Sequence, residues 1–356
     1  MRTLATVARE NAALLRDWLR DGPLQLTSGP ETGAVAGTVE PSGKIHYVYG
    51  EITGYYLHWL ASGAVDLAAA SRCAASALAW VMHRYGGDHL PPTRIHLTDD
   101  SSDWRNRVDF CFDLAMLAGG LAKAEERGLI DVPDSLWARC GAALARFSDG
   151  RHLTALAVGT DRTRVPQRWS TIDGPFLAKA ASRILLVPAR AQLSSRVVAS
   201  ARLTLAETCG MLSPRIDMLH PALYAIEGMI CRNATAYETA AHWLAGVLAF
   251  DRGDGQLPEA VDSIVPRSDV IAQALRLAVW LRAREVRDAP SDGAIESLVT
   301  AITARVRPDG SIAFRPDTDS LQLNSWCAMF AQQALDWYSR WRDGDSLVGV
   351  HATDLV

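Results

Sequence analysis

Helical runs that end on glycine recur along the whole chain, and this recurrence limits the fold more than any other feature. Asp21-Gly22, Gly86-Gly87, Asp149-Gly150, Gly210, Gly253-Asp254-Gly255 and Asp309-Gly310 each close a helical run. Glycine takes the left-handed conformation that stops a helix. The stops stand roughly 45 to 65 residues apart, the length of two helices with their loops, which marks a repeated helical hairpin. Strand-like alternation is scarce throughout.

The first helices of the pairs are read near 4–20, 64–85, 134–148, 193–209, 236–250 and 292–306. Each is followed by a longer polar loop and a second helix, beginning near Glu51, Asp109, Ile172, His220, Asp269 and Asn324. The second helices, such as "FDLAMLAGGLAKA" and "WCAMFAQQAL", carry small residues and few charges. A helix apolar nearly all round is a buried one. Six charged outer helices alternating with six apolar inner ones predict an all-α (α/α)6 toroid, closed so that neither end of the stack is exposed. An open helical solenoid is the alternative. The expected domain is a single toroid over residues 1–340, with 341–356 as a C-terminal tail.

Composition narrows the function classes. The 356 residues are 49% hydrophobic, and the net charge of −4 argues against nucleic acid held by bulk electrostatics. The longest apolar run, around Leu275 to Leu281, is broken by Arg276 and is too short for a bilayer. "MRTLATVARENAALLRDWLRDG" is amphipathic and lacks a signal-peptide core, so a cytoplasmic protein with no membrane association is expected. The cysteines Cys73, Cys111, Cys140, Cys209, Cys231 and Cys327 stand singly, which suggests neither a zinc site nor a disulfide framework. No P-loop, GxGxxG, HExxH or GxSxG motif is present, and no spacing asks for a metal or cofactor. Only Lys44, Lys123 and Lys179 are lysines, so arginine has to be weighed by position.

Two inner helices carry the same unusual stripe. In "YGEITGYYLHWL", Glu51, Tyr55 and His58 fall at i, i+4 and i+7, one helical face. In "LHPALYAIEGMI", His220, Tyr224 and Glu227 repeat the spacing with acid and imidazole exchanged. Glu or His can be brought near the operating pH by burial and serve proton transfer. Glu51, Glu227, His220, Tyr55 and Tyr224 are therefore the candidate catalytic residues. The competing reading is a set of buried hydrogen bonds that stitch helices together.

These two motifs, "AAHWLAGVLA" after the second, and "LNSWCAMFAQQAL" near the end resemble a group of bacterial toroid proteins. That group is related in shape to terpenoid cyclases and often associated with polysaccharide biosynthesis. The resemblance covers residues from about 45 to 337 and implies the toroid, but no single chemistry. The group's pattern carries proline where this chain has Gly50. The DxDD motif of carbocation cyclases is absent, with Asp99-Asp100 the nearest approach, which counts against prenyl substrates.

In a toroid the long loops and the N-terminal turns of the inner helices gather at one end. The segments there are rich in arginine beside tryptophan and aspartate. "TDDSSDWRNRVDF" holds Trp104, Arg105 and Arg107, and "DRTRVPQRWSTIDG" holds Arg164, Arg168, Trp169 and Asp173. Arg215, Arg267 and Arg315 follow in later segments, with Asn324 and Trp326 at the last. Guanidinium groups match carboxylate, sulfate or phosphate, and tryptophan suits a sugar face. The expected substrate is a polar, anionic small molecule. An acidic carrier or small partner protein would also suit the arginine rim.

Three functions fit this pattern. The first is general acid/base elimination, of lyase or cyclase type, in sugar or specialised-metabolite biosynthesis. The second is a glycoside hydrolase, which needs two carboxylates about 5–5.5 or 6.5–9.5 Å apart. The third is a non-catalytic binding or scaffold toroid, which predicts that the two stripes are dry and mutually bonded.

Overall fold

The structure, a computed structural model, describes residues 2–87, 89–97, 103–212, 216–231, 234–316 and 322–356. Twelve α-helices occur among them: α1 (Leu4–Asp21), α2 (Gly50–Ala61), α3 (Leu67–Tyr85), α4 (Cys111–Glu126), α5 (Asp134–Leu144), α6 (Leu177–Ile184), α7 (Ser195–Gly210), α8 (Leu219–Ile230), α9 (Tyr237–Leu248), α10 (Ser268–Ala283), α11 (Asp292–Thr303) and α12 (Ser325–Arg342). The odd-numbered helices are those read as outer. α1 buries Ala8, Ala12, Leu15, Trp18 and Leu19, a single stripe. The even-numbered helices are covered on every side: α2 is buried from Ile52 to Ala61 and α10 from Ser268 to Leu281.

The two classes also start differently. Thr3, Asp66 and Ser291 cap α1, α3 and α11 by accepting from a first-turn N–H, the usual way to satisfy those donors. α2, α4, α8 and α10 follow extended residues, Tyr49, Phe110, Met218 and Arg267, that make no side-chain cap. Three of these four place an acid in their own first turn instead: Glu51, Asp113 and Asp269. The positive end of a helix favours a carboxylate there.

Five inner helices begin within two residues of the expected position. α6 begins five residues late, at Leu177 rather than Ile172. Pro175 disfavours the helical conformation at Gly174 before it, and the preceding Trp169–Thr171 forms a separate 3-10 turn.

Two compact units divide the chain. One comprises Pro23–Thr38 and Lys44–Thr208, with α2 to α6 and most of α7. Its α2 and α4 approach closely because glycines face each other: a Cβ on Gly120 would sit 2.0 Å from the Gly54 carbonyl oxygen, and one on Gly54 2.5 Å from the Leu117 Cα. A two-residue strand, Tyr47–Val48, precedes α2 and pairs antiparallel with Ile95–His96, Tyr47 opposite His96. The other unit comprises Met1–Gly22, Val39–Gly43 and Cys209–Val356. In it α10 packs against α8, α9, α11 and α12, and α1 against α12. The residues after α12 are packed too: Leu347, Leu355 and Val356 are fully buried, and Arg284 donates to the Leu347 and Val350 carbonyls.

Candidate functional site

The unit around α2 and α4 holds a pair of carboxyl groups. Glu51 and Asp113 stand in the first turns of the two helices that Gly54 and Gly120 bring together, and their side chains are hydrogen-bonded to each other. Both keep part of their surface open, but protein surrounds them closely. Lost hydration, above all, moves the Asp113 carboxyl up to about 7, against the pull of Arg94. Glu51 is held well above the usual carboxylate range by the same loss of water and by the Asp113 charge, while the Tyr49 hydroxyl donates to it. Two carboxyls at hydrogen-bond distance cannot both ionise readily, so they share a proton. They titrate as a pair.

Cations and rings surround the pair. Lys179, fully buried in the first turn of α6, lies 4.9 Å from the Tyr55 ring, and its charge reaches Glu51. Arg94 lies 4.4 Å from the Tyr47 ring and 5.8 Å from that of Tyr49. Tyr85 is placed by what Gly50 lacks: a Cβ there would sit 1.9 Å from the Tyr85 hydroxyl. Burial, with the Asp113 charge, raises the Tyr85 hydroxyl far above its ordinary range.

The other sequence candidates in this unit lie around that centre with partners of their own. Trp104 meets Phe110 edge-on at 6.1 Å, Arg105 covers Trp104 at 4.9 Å, and Arg105 pairs with Asp103 at 3.1 Å. Trp169 meets Phe176 edge-on at 5.2 Å, and Phe176 in turn packs on Phe112, next to Asp113. Asp173 accepts from the Ala155 N–H at 2.6 Å and pairs with Arg162. Arg164 pairs with Asp161 in solvent, and Arg107 and Arg168 are exposed.

The second stripe lies in the other unit and is buried. His220 packs on Tyr224, ring centroids 4.3 Å apart. Its Nδ1 lies 2.5 Å from Gln273 Oε1 and 3.5 Å from Asp269. Burial lowers His220 to about 4, in spite of the Asp269 charge. The ring is therefore neutral at pH 7, with its Nδ1–H donated to Gln273. Gln273 passes the chain on, its Nε2 donating to Glu227 at 3.0 Å. Glu227, 1% exposed, is paired with the fully buried Arg276, which also donates to Gln333 at 3.2 Å.

Asp269 anchors the neighbouring cluster. Burial alone would raise its pKa, but Arg267 and His220 hold it at about 2. Arg267 donates to both Asp269 oxygens and to Glu259, and Arg315 to Glu259. Trp326 Nε1 donates to Asp269 at 3.2 Å, and Asn324 caps α12. Arg267 and Arg315, expected to cradle an anion, thus neutralise the chain's own carboxylates. Arg215 and Asp99-Asp100 lie outside the described residues.

Sequence reasoning missed Asp113, Lys179, Arg94, Asp269 and Arg276. A signal existed for two of them: like Glu51, Asp113 and Asp269 take the second or third position of an inner helix. Lys179, one of three lysines, stands inside an inner helix rich in alanine. Among the described residues no cluster of His, Cys, Asp or Glu forms a metal site, all six cysteines are free, and no helix is long and apolar enough to cross a membrane.

No protein-family model matches the chain, and no curated protein matches it in sequence. Solved structures match it in fold. An unsaturated glucuronyl hydrolase specific for heparin aligns with a TM-score of 0.65 at 11% identity, over 96% of this chain and 98% of its own. A cellobiose 2-epimerase from Spirochaeta thermophila gives 0.66 at 14%, over 97% and 99%. A D-mannose isomerase gives 0.61 at 12%, over 94% and 98%. At such identities the likeness is one of fold: the chain is an all-α protein of the (α/α)6-toroid fold, its six outer helices alternating in sequence with six inner ones.

Proposed function

We propose that this protein is a sugar-acting enzyme that transfers protons through the Glu51–Asp113 pair. The observation that carries the reading is the hydrogen bond between two part-exposed carboxyls, one of them raised to about 7. That value places a proton donor and a proton acceptor side by side at neutral pH. The sugar enters from the fold neighbours, an unsaturated glucuronyl hydrolase, an epimerase and an isomerase.

The spacing of the pair favours elimination, or its reverse, addition of water across a double bond. A glycosidase acting through opposite faces of the ring keeps its carboxyls at least about 5 Å apart, with room for a sugar carbon or a water between them. Hydrogen-bonded carboxyls leave no such room and act from one face. The carboxylate of the pair takes a proton from a ring carbon, and the carboxylic acid gives its proton to the departing oxygen. The C–H electrons form the new double bond and the C–O electrons leave with the oxygen. The pair ends the turnover with one proton, as it began. Lys179 and Arg94 stabilise the charge that develops. Glu227 and His220 are assigned to holding α8 against α10, since their contacts lie within the protein.

The test is turnover on a panel of neutral and uronic-acid disaccharides. Asp113→Asn and Glu51→Gln are expected to lower kcat by about 10²–10⁴, and the wild-type rate to change over a limb near pH 7. Variants that keep kcat within about threefold would sink the proposal.

A further inference from the structure

Beside the carboxyl pair lies a guanidinium whose hydrogen-bonding capacity is mostly unspent. Arg94 is held in place by its backbone, since its N–H donates to Asn106 Oδ1 at 2.8 Å and its carbonyl accepts from Asn106 Nδ2 at 2.9 Å. Its guanidinium carbon lies over the Tyr47 ring and 5.8 Å from the Tyr49 ring, and Gly37 leaves room for both rings, since a Cβ there would sit 2.7 Å from Tyr47 and 3.0 Å from Tyr49. Its nearest carboxylate, Asp103, stands 3.5 Å from Nη1, beyond a good hydrogen bond. Its Nε is buried and has no hydrogen-bond partner among the described residues, and Nε2 of His96, which packs on Tyr47, has none either, its carboxylate neighbour Asp103 standing 3.6 Å away. A buried N–H without a partner is unfavourable, and a ligand oxygen would relieve it.

The charges around it point the same way. Arg94, Arg105 and Lys179 face Glu51, Asp113 and Asp103. One proton shared by the Glu51–Asp113 pair leaves this group with an excess positive charge.

We infer that Arg94, set against the rings of Tyr47 and Tyr49, is the specificity-determining residue of the site and binds the carboxylate of a uronic-acid sugar. The assignment deepens the proton-transfer reading and rests on it for the location of the site. A planar guanidinium pairs side-on with a carboxylate through two parallel N–H donors, and the Tyr47 ring, 4.4 Å from the guanidinium carbon, limits where that fork can lie. A carboxylate on the carbon next to the abstracted proton also makes that proton more acidic, so recognition and chemistry use the same group.

Two glycosides that differ only in a carboxylate against a hydroxymethyl group test this: methyl β-D-glucuronide and methyl β-D-glucoside, titrated calorimetrically into the full chain. The wild type is expected to bind the glucuronide about tenfold tighter. Arg94→Met should reduce the preference to about twofold or less without weakening the glucoside. Arg94→Lys, which keeps the charge without the fork, should fall between, and Tyr47→Leu, which removes the aromatic wall alone, should also weaken the preference. A wild type without preference, no glucuronide binding at millimolar concentration, or a preference that survives Arg94→Met overturns the assignment. Circular dichroism of each variant checks that it is folded. Asp113→Asn is expected to keep the preference. If turnover survives Asp113→Asn while the Arg94 effect holds, the proton-transfer reading falls and the subsite stands.

Discussion

Asp113 is a residue at odds with its own fold. Its carboxyl is raised by burial from an ordinary 3.8 to about 7, so the folded state holds a proton that the unfolded chain releases. Its contribution to stability is therefore full below about pH 4 and is lost as pH rises toward 7. Asp113→Asn should stabilise the protein at pH 8, by on the order of 3 kcal/mol, with no gain near pH 4. Denaturant unfolding at the two pH values measures this, and equal stabilities at pH 8 would refute it. His220 has the opposite dependence. Its folded value of about 4 lies below the ordinary 6.5, so its stability is full above pH 6.5 and falls as pH drops toward 4. His220→Gln should flatten that fall in the same titrations. Glu51 was legible in the sequence because an acid opened an aromatic run. Asp113 was not, because a first-turn acid in "FDLAML" has an ordinary reading in the helix dipole. Only the cross-helix hydrogen bond distinguishes the two, and no local pattern encodes it.

At the level of the element, the glycines of "TGYY" and "LAGG" matter more than the hydrophobic pattern. Periodicity predicted the starts of α2 and α4 to within two residues, since both follow from apolar runs. It did not predict how near they come, which Gly54 and Gly120 decide. Gly120→Val should cost about 1–3 kcal/mol by overpacking. It should also separate the carboxyls, shifting the pH limb of any turnover from near 7 toward ordinary carboxylate values. A folded Gly120→Val variant with an unshifted limb would show that helix approach does not set the pair. The late start of α6 has an equally local cause: Pro175 was in plain view, and the reading still carried helical periodicity back through it.

For the whole molecule, the repeat of helical hairpins made the fold class legible without any motif. The arginine-rich segments misled because partners were invisible: Arg267 and Arg315 looked like anion ligands until Glu259 and Asp269 appeared beside them. The acid response should divide accordingly. Asp269, held at about 2, stabilises above pH 4 and gives this up as pH falls toward 2, and His220 fails earlier. Hydrogen exchange at pH 5 should show α8 and α10 losing protection relative to pH 7, with α2 and α4 holding theirs. Loss in α2 first would contradict the assignment.

The Tyr85 hydroxyl fills the place where any residue but glycine would put its Cβ at position 50, which ties two positions 35 residues apart into one steric unit. Within the present chain, Gly50→Pro should be tolerated only on a background that has already lost Tyr85, so the two positions can be exchanged together but not one at a time.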